Sequence, residues 1–261
     1  MSTILDRIVA NKHYEVTRAK QTLSQTRLES HPGFQRRTLS LAKALRATDS
    51  SGIIAEYKRK SPSKGIIQLG AGIAETTQGY TKAGAAGISV LTDTVFFGGF
   101  KEDLYIAREN NPLTPLIRKD FMVDPYQLFE ARAWGADVVL LIASCLTPDE
   151  IASMSQLAKQ LELEVLLEVH DAQELQQAPL DHVDLVGVNN RNLKIFSESN
   201  VQASLDLVDQ IPQHLVKVSE SCIDSPETVQ TLRAVGYQGF LIGELFMRQP
   251  RPADALAQFI S

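Results

Sequence analysis

Two rhythms of apolar positions alternate along the chain. The shorter one consists of runs rich in Val, Ile and Leu at residues 52–57, 87–92, 116–119, 137–142, 164–168, 185–188, 215–219 and 239–243. Each run is of strand length and leads into a loop or a helical pattern. The longer rhythm carries helix signals at its ends. In DPYQLFEARAWG, Asp124 is placed to cap the amino end, Pro125 to open the first turn and Gly135 to stop the helix. Thr147 with Pro148, and Ser225 with Pro226, start two further helices in the same way. Eight strands with one helix in each interval are what a closed parallel barrel with outer helices requires, and an open doubly wound sheet is the weaker alternative. The expected fold class is therefore α/β, an eight-stranded parallel βα barrel.

The opening residues fall outside this alternation. Ile4, Ile8, Val16 and Leu23 recur with helical spacing and predict a helix ahead of the first strand, from which the linker TDSSG, ending at Gly52, separates it. Residues 1–261 read as one domain, with 1–50 an N-terminal helical extension packed on a barrel formed by 51–261.

Composition narrows the function. An apolar share of 44% is enough for a sizeable core, and a net charge of -5 gives no general attraction for nucleic acid or acidic membranes, so neither is expected as a partner. Any anion site must be built locally. The basic run YKRKSPSKG could suggest a nucleic-acid patch, but the acidic balance elsewhere argues against it. Cys145 and Cys222 stand far apart, with no Cys-x-x-Cys or Cys/His spacing for zinc or redox chemistry, which fits a reduced, cytoplasmic setting. Asp6, Arg7, Lys12 and Glu15 interrupt the amino terminus where a secretion signal needs an apolar core, and the longest apolar run, 138–143, is too short to span a bilayer.

In a barrel of this kind chemistry gathers at the carboxyl ends of the strands, and here those ends are charged. A period of two puts Glu56 and Lys58 on one face of the first strand, with Tyr57 and Arg59 on the other. On the third strand Ile117 and Lys119 share a face and Arg118 takes the opposite one; on the fifth, Leu166 and Glu168 share a face. Just past the sixth, Asn189 and Arg191 do so. Most Glu residues are solvated surface groups, but one that ends an apolar barrel strand must either partner a cation or work on a ligand. Arg59, Lys60 and Arg118 are expected to be outward or loop charges, and Lys64 a loop ammonium.

Barrels frequently hold a phosphate between the loops after strands seven and eight, which here carry Ser221 and the pair Gly243 and Glu244. His170 invites a catalytic role, but Asp171 with Glu174 forms a plausible capping box, and His170 is expected to be structural. Ser61, Pro62 and Ser63 suit an ordinary turn and a flexible lid equally well.

The segments AEYKRKSPSKG, GISVLTDTVFFGG, IRKDFMVDPYQLFEARAWGAD, LLEVHD, VGVNNRNL and SES followed by FLIG resemble the indole-3-glycerol-phosphate synthase family in content and order, over residues 52–247. The resemblance implies an enzyme that closes the ring of 1-(2-carboxyphenylamino)-1-deoxyribulose 5-phosphate with loss of carbon dioxide and water. It implies no redox cofactor and no metal, and a phosphorylated small molecule as the partner; the chain itself is expected to be a monomer. By motif match Lys119 is similar to the general acid that protonates the ketone oxygen. Lys58 matches a lysine with two assigned roles, meeting the substrate's anionic groups and assisting departure of the hydroxyl. Glu168 resembles the carboxylate that removes a proton or stabilises the cationic intermediate, while Glu56 and Asn189 resemble positioning groups; the dehydration base remains open between Glu56 and Glu168. Arg191 and Ser221 match substrate-binding positions, with Ser61 a further candidate. Phe96, Phe97 and Phe121 match the apolar wall around the aromatic ring, and Cys222, Gly243 and Glu244 the phosphate loops.

Two positions depart from the family pattern. Cys222 stands where a Glu-Ser-Gly turn is common, so a positive φ there would be disfavoured. Glu244 stands where a small Ser is common and must turn its carboxylate away from a phosphate. The competing functions are an aldose-ketose isomerase on a related barrel, which two lysines and two glutamates suit poorly, and a non-catalytic barrel that binds a phosphorylated metabolite.

Overall fold

A computed structural model describes residues 3–191 and 200–261. Eight parallel strands close into a barrel: β1 (Ile53–Tyr57), β2 (Gly87–Leu91), β3 (Leu116–Lys119), β4 (Val138–Ile142), β5 (Glu164–Val169), β6 (Leu185–Asn189), β7 (Val216–Glu220) and β8 (Gly239–Ile242). Each pairs with its neighbours in sequence, and β1 closes the ring between β8 and β2, with Ile54 level with Leu241 on one side and Gly87 on the other. All eight expected runs are strands. A two-residue hairpin, Lys60–Ser61 with Gly65–Ile66, was not foreseen.

The period-two pattern sorts the side chains as the faces require. Ile54, Ile117, Leu140, Leu166, Leu185, Val216 and Leu241 fill the barrel interior. Their alternates, among them Ile53, Ile88, Val139, Val165, Val186 and Phe240, pack outward against the helices. Those helices are, in chain order, α1 (Ile4–Thr22), α2 (Gln25–Glu29) and α3 (Leu41–Arg46) ahead of the barrel. Around it run α4 (Ile73–Lys82), α5 (Lys101–Asn110), α6 (Tyr126–Ala133), α7 (Pro148–Gln160), α8 (Ala172–Gln177), α9 (Gln202–Leu207), α10 (Pro226–Ala234), α11 (Glu244–Met247) and α12 (Pro252–Ile260). The start signals work as their chemistry suggests. Thr147 and Glu150 form a reciprocal capping box on α7, Ser225 accepts from the Thr228 N–H on α10, and Asp124 accepts from the Tyr126 N–H at 2.9 Å at the start of α6.

The extension reaches both ends of the barrel. Val16 of α1 packs with Leu28, Tyr126 and Phe129 on the outside. At the amino ends of the strands, Leu41, Ala42 and Leu45 of α3 join the interior cluster as a plug. That plug is fastened by polar groups. The Glu164 carboxylate accepts the N–H groups of Leu41 and Ala42 at 2.8 and 3.0 Å, and buried Asp137 accepts the Leu39 N–H at 2.9 Å while pairing with Arg36 and Arg108. Among the described residues no helix is long and apolar enough to cross a membrane.

Candidate active site

At the carboxyl ends of the strands the interior alternation stops being apolar. Continuing the inward positions Ile54, Ile117, Leu166, Leu185 and Val218 by two or four residues gives Glu56, Lys119, Glu168, Asn189 and Glu220, which line one cavity of about 630 Å3. Lys119 Nζ lies 3.2 Å from Glu168 Oε2 and makes a still closer ion pair with Glu220. Asn189 Nδ2 donates to the other oxygen of Glu168 at 3.0 Å, and Lys58 Nζ pairs with Glu56 Oε1 at 2.6 Å.

This cluster concentrates charge where water is scarce. Burial alone would push the Lys119 ammonium down, but Glu220, Glu168 and Glu56 outweigh burial and hold it above the ordinary lysine range. Burial would raise Glu168 too, yet Lys119, His170 and the Asn189 amide bring it below the usual carboxylate range. Glu220 goes the other way: burial pushes it up, and Glu168 and Glu56 add to the effect while Lys119 opposes it. With several carboxylates around one ammonium, Glu220 is thus the member that keeps a proton most readily. The cluster offers a proton donor and a carboxylate acceptor within one small space, the pairing that general acid–base chemistry needs.

The cavity's remaining wall divides into an apolar and an anion-ready side. Phe97 and Phe121 lie with ring centroids 5.8 Å apart, and Ile4, Leu5 and Ile8 of α1 complete the apolar side. Phe96 does not line the cavity, although its expected role placed it there; the Asp93 carboxylate fixes the turn by accepting both the Phe96 and Phe97 N–H groups, and only the second ring enters the wall. On the polar side, Arg191 donates to Ser63 Oγ at 3.2 Å and lies 3.3 Å from Glu244 Oε2. Ser61, Ser221, Cys222 and Gly243 line the same side. Ser221 and Cys222 both have positive φ, 66° and 58°. The strained turn considered from the sequence therefore exists, with a side chain where only glycine is unstrained. Glu244, expected to turn its carboxylate away from a phosphate, lines the cavity and is held by Arg191 and Arg248. Asn192 and Leu193 of the VGVNNRNL segment lie outside the described residues.

Several expectations need correction. Arg118 does face outward, away from the barrel interior, but it is buried there and not at the surface, with ion pairs to Asp120 and Glu130, a donation to the Gln127 carbonyl and its guanidinium over Trp134. Arg59 is likewise partnered, through two contacts to Asp103. Asp171 does cap α8, but Glu174 answers to the His170 N–H and ring nitrogen instead of closing the box, and His170 lines the cavity 3.6 Å from Glu168. Glu220 was missed because the seventh strand was ended at Ser219. The signal was present: Val216 and Val218 face inward, and the same period carries to the next residue but one. Room for it comes from Gly187, where a Cβ would stand 2.2 Å from Glu220 Oε1.

Comparison with known proteins agrees with this geometry. A family model described as indole-3-glycerol phosphate synthase matches residues 5–259. Relatives of that name include one from Bacteroides thetaiotaomicron, 46% identical over the whole of this chain and 98% of its own length, and one from Acidovorax sp., 46% identical with both chains fully covered. A third, from Burkholderia multivorans, is 43% identical over 99% of each chain. Among solved structures, an N-acetylmannosamine-6-phosphate 2-epimerase from Clostridium perfringens superposes with a TM-score of 0.62 at 13% identity, covering 86% of this chain and 97% of that one. A thiamine phosphate pyrophosphorylase from Pyrococcus furiosus gives 0.60 at 14%, over 84% and 96%. At such identities these two share the fold alone.

Proposed function

The chain belongs to the indole-3-glycerol phosphate synthase family, and on that premise we propose that its cavity takes 1-(2-carboxyphenylamino)-1-deoxy-D-ribulose 5-phosphate to indole-3-glycerol phosphate, carbon dioxide and water. The observation that carries the reading is Lys119, an ammonium at the inner mouth of the barrel bracketed by Glu168 and Glu220.

Each residue then has a step. The substrate's aromatic ring lies against Phe97 and Phe121, and the ring carbon that bears the carboxylate attacks the ketone carbon. Lys119 delivers a proton to the ketone oxygen as that bond forms, so no bare alkoxide develops in the apolar wall. Loss of carbon dioxide returns the bonding electrons to the ring. The resulting hydroxyl leaves as water, protonated from the Lys58 side, while a carboxylate removes the proton from the carbon next to nitrogen. Glu168 is supported as that base because Lys119 and His170 keep its buried carboxylate ionised, and because the Asn189 amide aims it. Glu56 holds Lys58 in place at 2.6 Å. At the phosphate end, Ser221, Cys222 and Gly243 supply the turn, Ser61 borders it, and Arg191 exchanges Glu244 for the incoming phosphate. The enzyme works as a cytoplasmic monomer, a single domain of residues 1–261, with no added cofactor or metal.

The test is turnover of that substrate, followed by appearance of the indole chromophore without metal or nucleotide. Steady product formation supports the reading. A folded protein that binds the substrate without converting it would favour the non-catalytic barrel instead.

A further inference from the structure

The apolar stripe of α1 has a charged member. Ile4, Ile8 and Val16 recur at helical spacing, and the position that continues the stripe between Ile8 and Val16 is Lys12, only 3% exposed. Lysine seldom goes so deep without partners, because an unpaired ammonium is costly to bury. Its Nζ lies 2.9 Å from Asp120 Oδ1, 3.0 Å from Asp93 Oδ2 and 2.6 Å from Glu15 Oε2. Burial alone would push the ammonium down, but Asp120, Asp93 and Glu15 together hold it above the ordinary range.

Both aspartates hold pieces of the active site. Asp120 directly follows Lys119; its Oδ1 accepts the Phe121 N–H at 2.9 Å and its Oδ2 takes Thr92 Oγ1 at 2.7 Å. Asp93 follows β2, and its Oδ1 accepts the Phe96 and Phe97 N–H groups at 2.8 and 3.2 Å. One ammonium from the extension therefore joins the backbone that carries Lys119 to the turns that carry the two wall aromatics. Earlier on the same helix, Ile4, Leu5 and Ile8 form part of the cavity wall. The helix also docks through Val16, which packs against Tyr126 and Phe129 of α6. Arg118 also pairs with Asp120, at 3.1 Å, but Lys12 is the ammonium that Asp120 and Asp93 share, and without it the repulsion between the two buried carboxylates is no longer bridged.

We propose, on the reading that Lys119 protonates the ketone, that Lys12 is a positioning residue for ring closure, tying α1, the Lys119 strand end and the Phe97 turn into one rigid piece. The extension is then part of the active site's scaffold, and its charge, not only its apolar face, sets the geometry of the general acid.

The test compares Lys12→Met with Val16→Ala in the full chain, at a temperature where every variant is folded. Lys12→Met is expected to lower kcat by about 10- to 100-fold, as for a sub-ångström to 1 Å displacement of the acid. Val16→Ala lowers the melting temperature and leaves kcat within about twofold, since it loosens α1 without touching either aspartate. Hydrogen exchange on the same proteins should speed up at the Phe96, Phe97 and Phe121 amides in Lys12→Met alone. A kcat for Lys12→Met near that of the unaltered protein, or an equal loss in Val16→Ala, overturns the proposal. Should the unaltered protein show no turnover, the ring-closure reading falls, and the exchange result decides the role of Lys12 by itself: unchanged exchange at the three amides overturns it. If Lys12→Met does not fold, Lys12→Met combined with Asp93→Asn, with one buried negative charge fewer, carries the same expectations.

Discussion

Gly243→Ala adds one methyl group at the point where β8 hands over to α11, and the structure sets the size of its effect. A Cβ there would stand 2.5 Å from Glu56 Oε1, 2.8 Å from Glu56 Cβ and 3.1 Å from its carboxyl carbon. Carbon atoms pack at about 3.5–4.0 Å, so the contact with Glu56 Cβ is short by roughly 0.7 Å or more. The carboxylate could swing aside, but Glu56 Cβ is anchored to β1, whose neighbour Ala55 is in register with Ile242. Relief therefore requires the ends of β1 and β8 to part, and Glu56 to leave Lys58. Overpacking of this kind costs about 1–3 kcal/mol. For a domain of this size that lowers the melting temperature by roughly 2–12 °C. The catalytic loss should be larger, on the order of 100-fold in kcat/KM, because the Glu56–Lys58 pair is displaced by most of an ångström. Steady-state kinetics by indole absorbance and thermal unfolding by circular dichroism measure both. Gly72→Ala is the control, since it adds the same methyl where no atom lies within 4 Å and φ is an ordinary -69°. Turnover by Gly243→Ala within about threefold of the unaltered protein would show that the site does not depend on this close approach.

Lys119→Met should reduce kcat by about 10^2- to 10^4-fold while substrate affinity, read by fluorescence titration, changes far less; retained turnover would remove Lys119 from the acid role. Glu220 titrates at about 7 in the folded protein against 4.5 for an ordinary Glu, so between those values the native state binds more protons than the unfolded chain, and its contribution to stability falls as pH rises through that window. Glu220→Gln cannot lose a proton, so its stability relative to the unaltered protein should rise between pH 5 and pH 8, by at most about 3 kcal/mol; a constant difference across that range would contradict the assignment. At Cys222, with φ at 58°, Gly is free of the left-handed penalty that Ala shares with Cys. Cys222→Gly should therefore be about 1 kcal/mol more stable than Cys222→Ala in urea unfolding, and equal midpoints would mean that the turn relaxes.

Most of the barrel was legible because its two faces make opposite demands. Ile54 and Ile53 are both buried, yet one fills the interior and the other meets the helices, so every strand reads as a short apolar run, and helices such as α7, α8 and α10 announce themselves with a capping side chain. The phase of β1, β3 and β5 followed from the same period, which is why Glu56, Lys119 and Glu168 were found together. Glu220 was lost to a strand boundary misplaced by one residue, the least certain feature of any pattern. The burial of Arg118 and of Lys12 went unread for another reason. A charged side chain looks solvated until its partners are known, and theirs, Glu130 for one and Asp93 for the other, are 12 and 81 positions away in sequence. The turn that carries Phe96 is likewise fixed by the Asp93 carboxylate, which accepts its N–H, a detail that no spacing rule encodes.

The double attachment of the extension has a bearing on how the chain acquires its structure. Residues 36–45 seal the amino ends of the strands through Asp137 and Glu164, while Lys12 is anchored by Asp93 and Asp120. These segments leave the ribosome ahead of the barrel and have no completed surface to dock on until β3, β4 and β5 have been made. The interior that receives Leu41 and Leu45 also includes Val216, Val218 and Leu241, near the far end of the chain. Such long-range closures make folding slow and leave an early helix waiting with its apolar stripe uncovered. A lysine in the middle of that stripe makes the waiting helix a poorer template for aggregation, and it gives the stripe one docking site that an incomplete barrel cannot imitate.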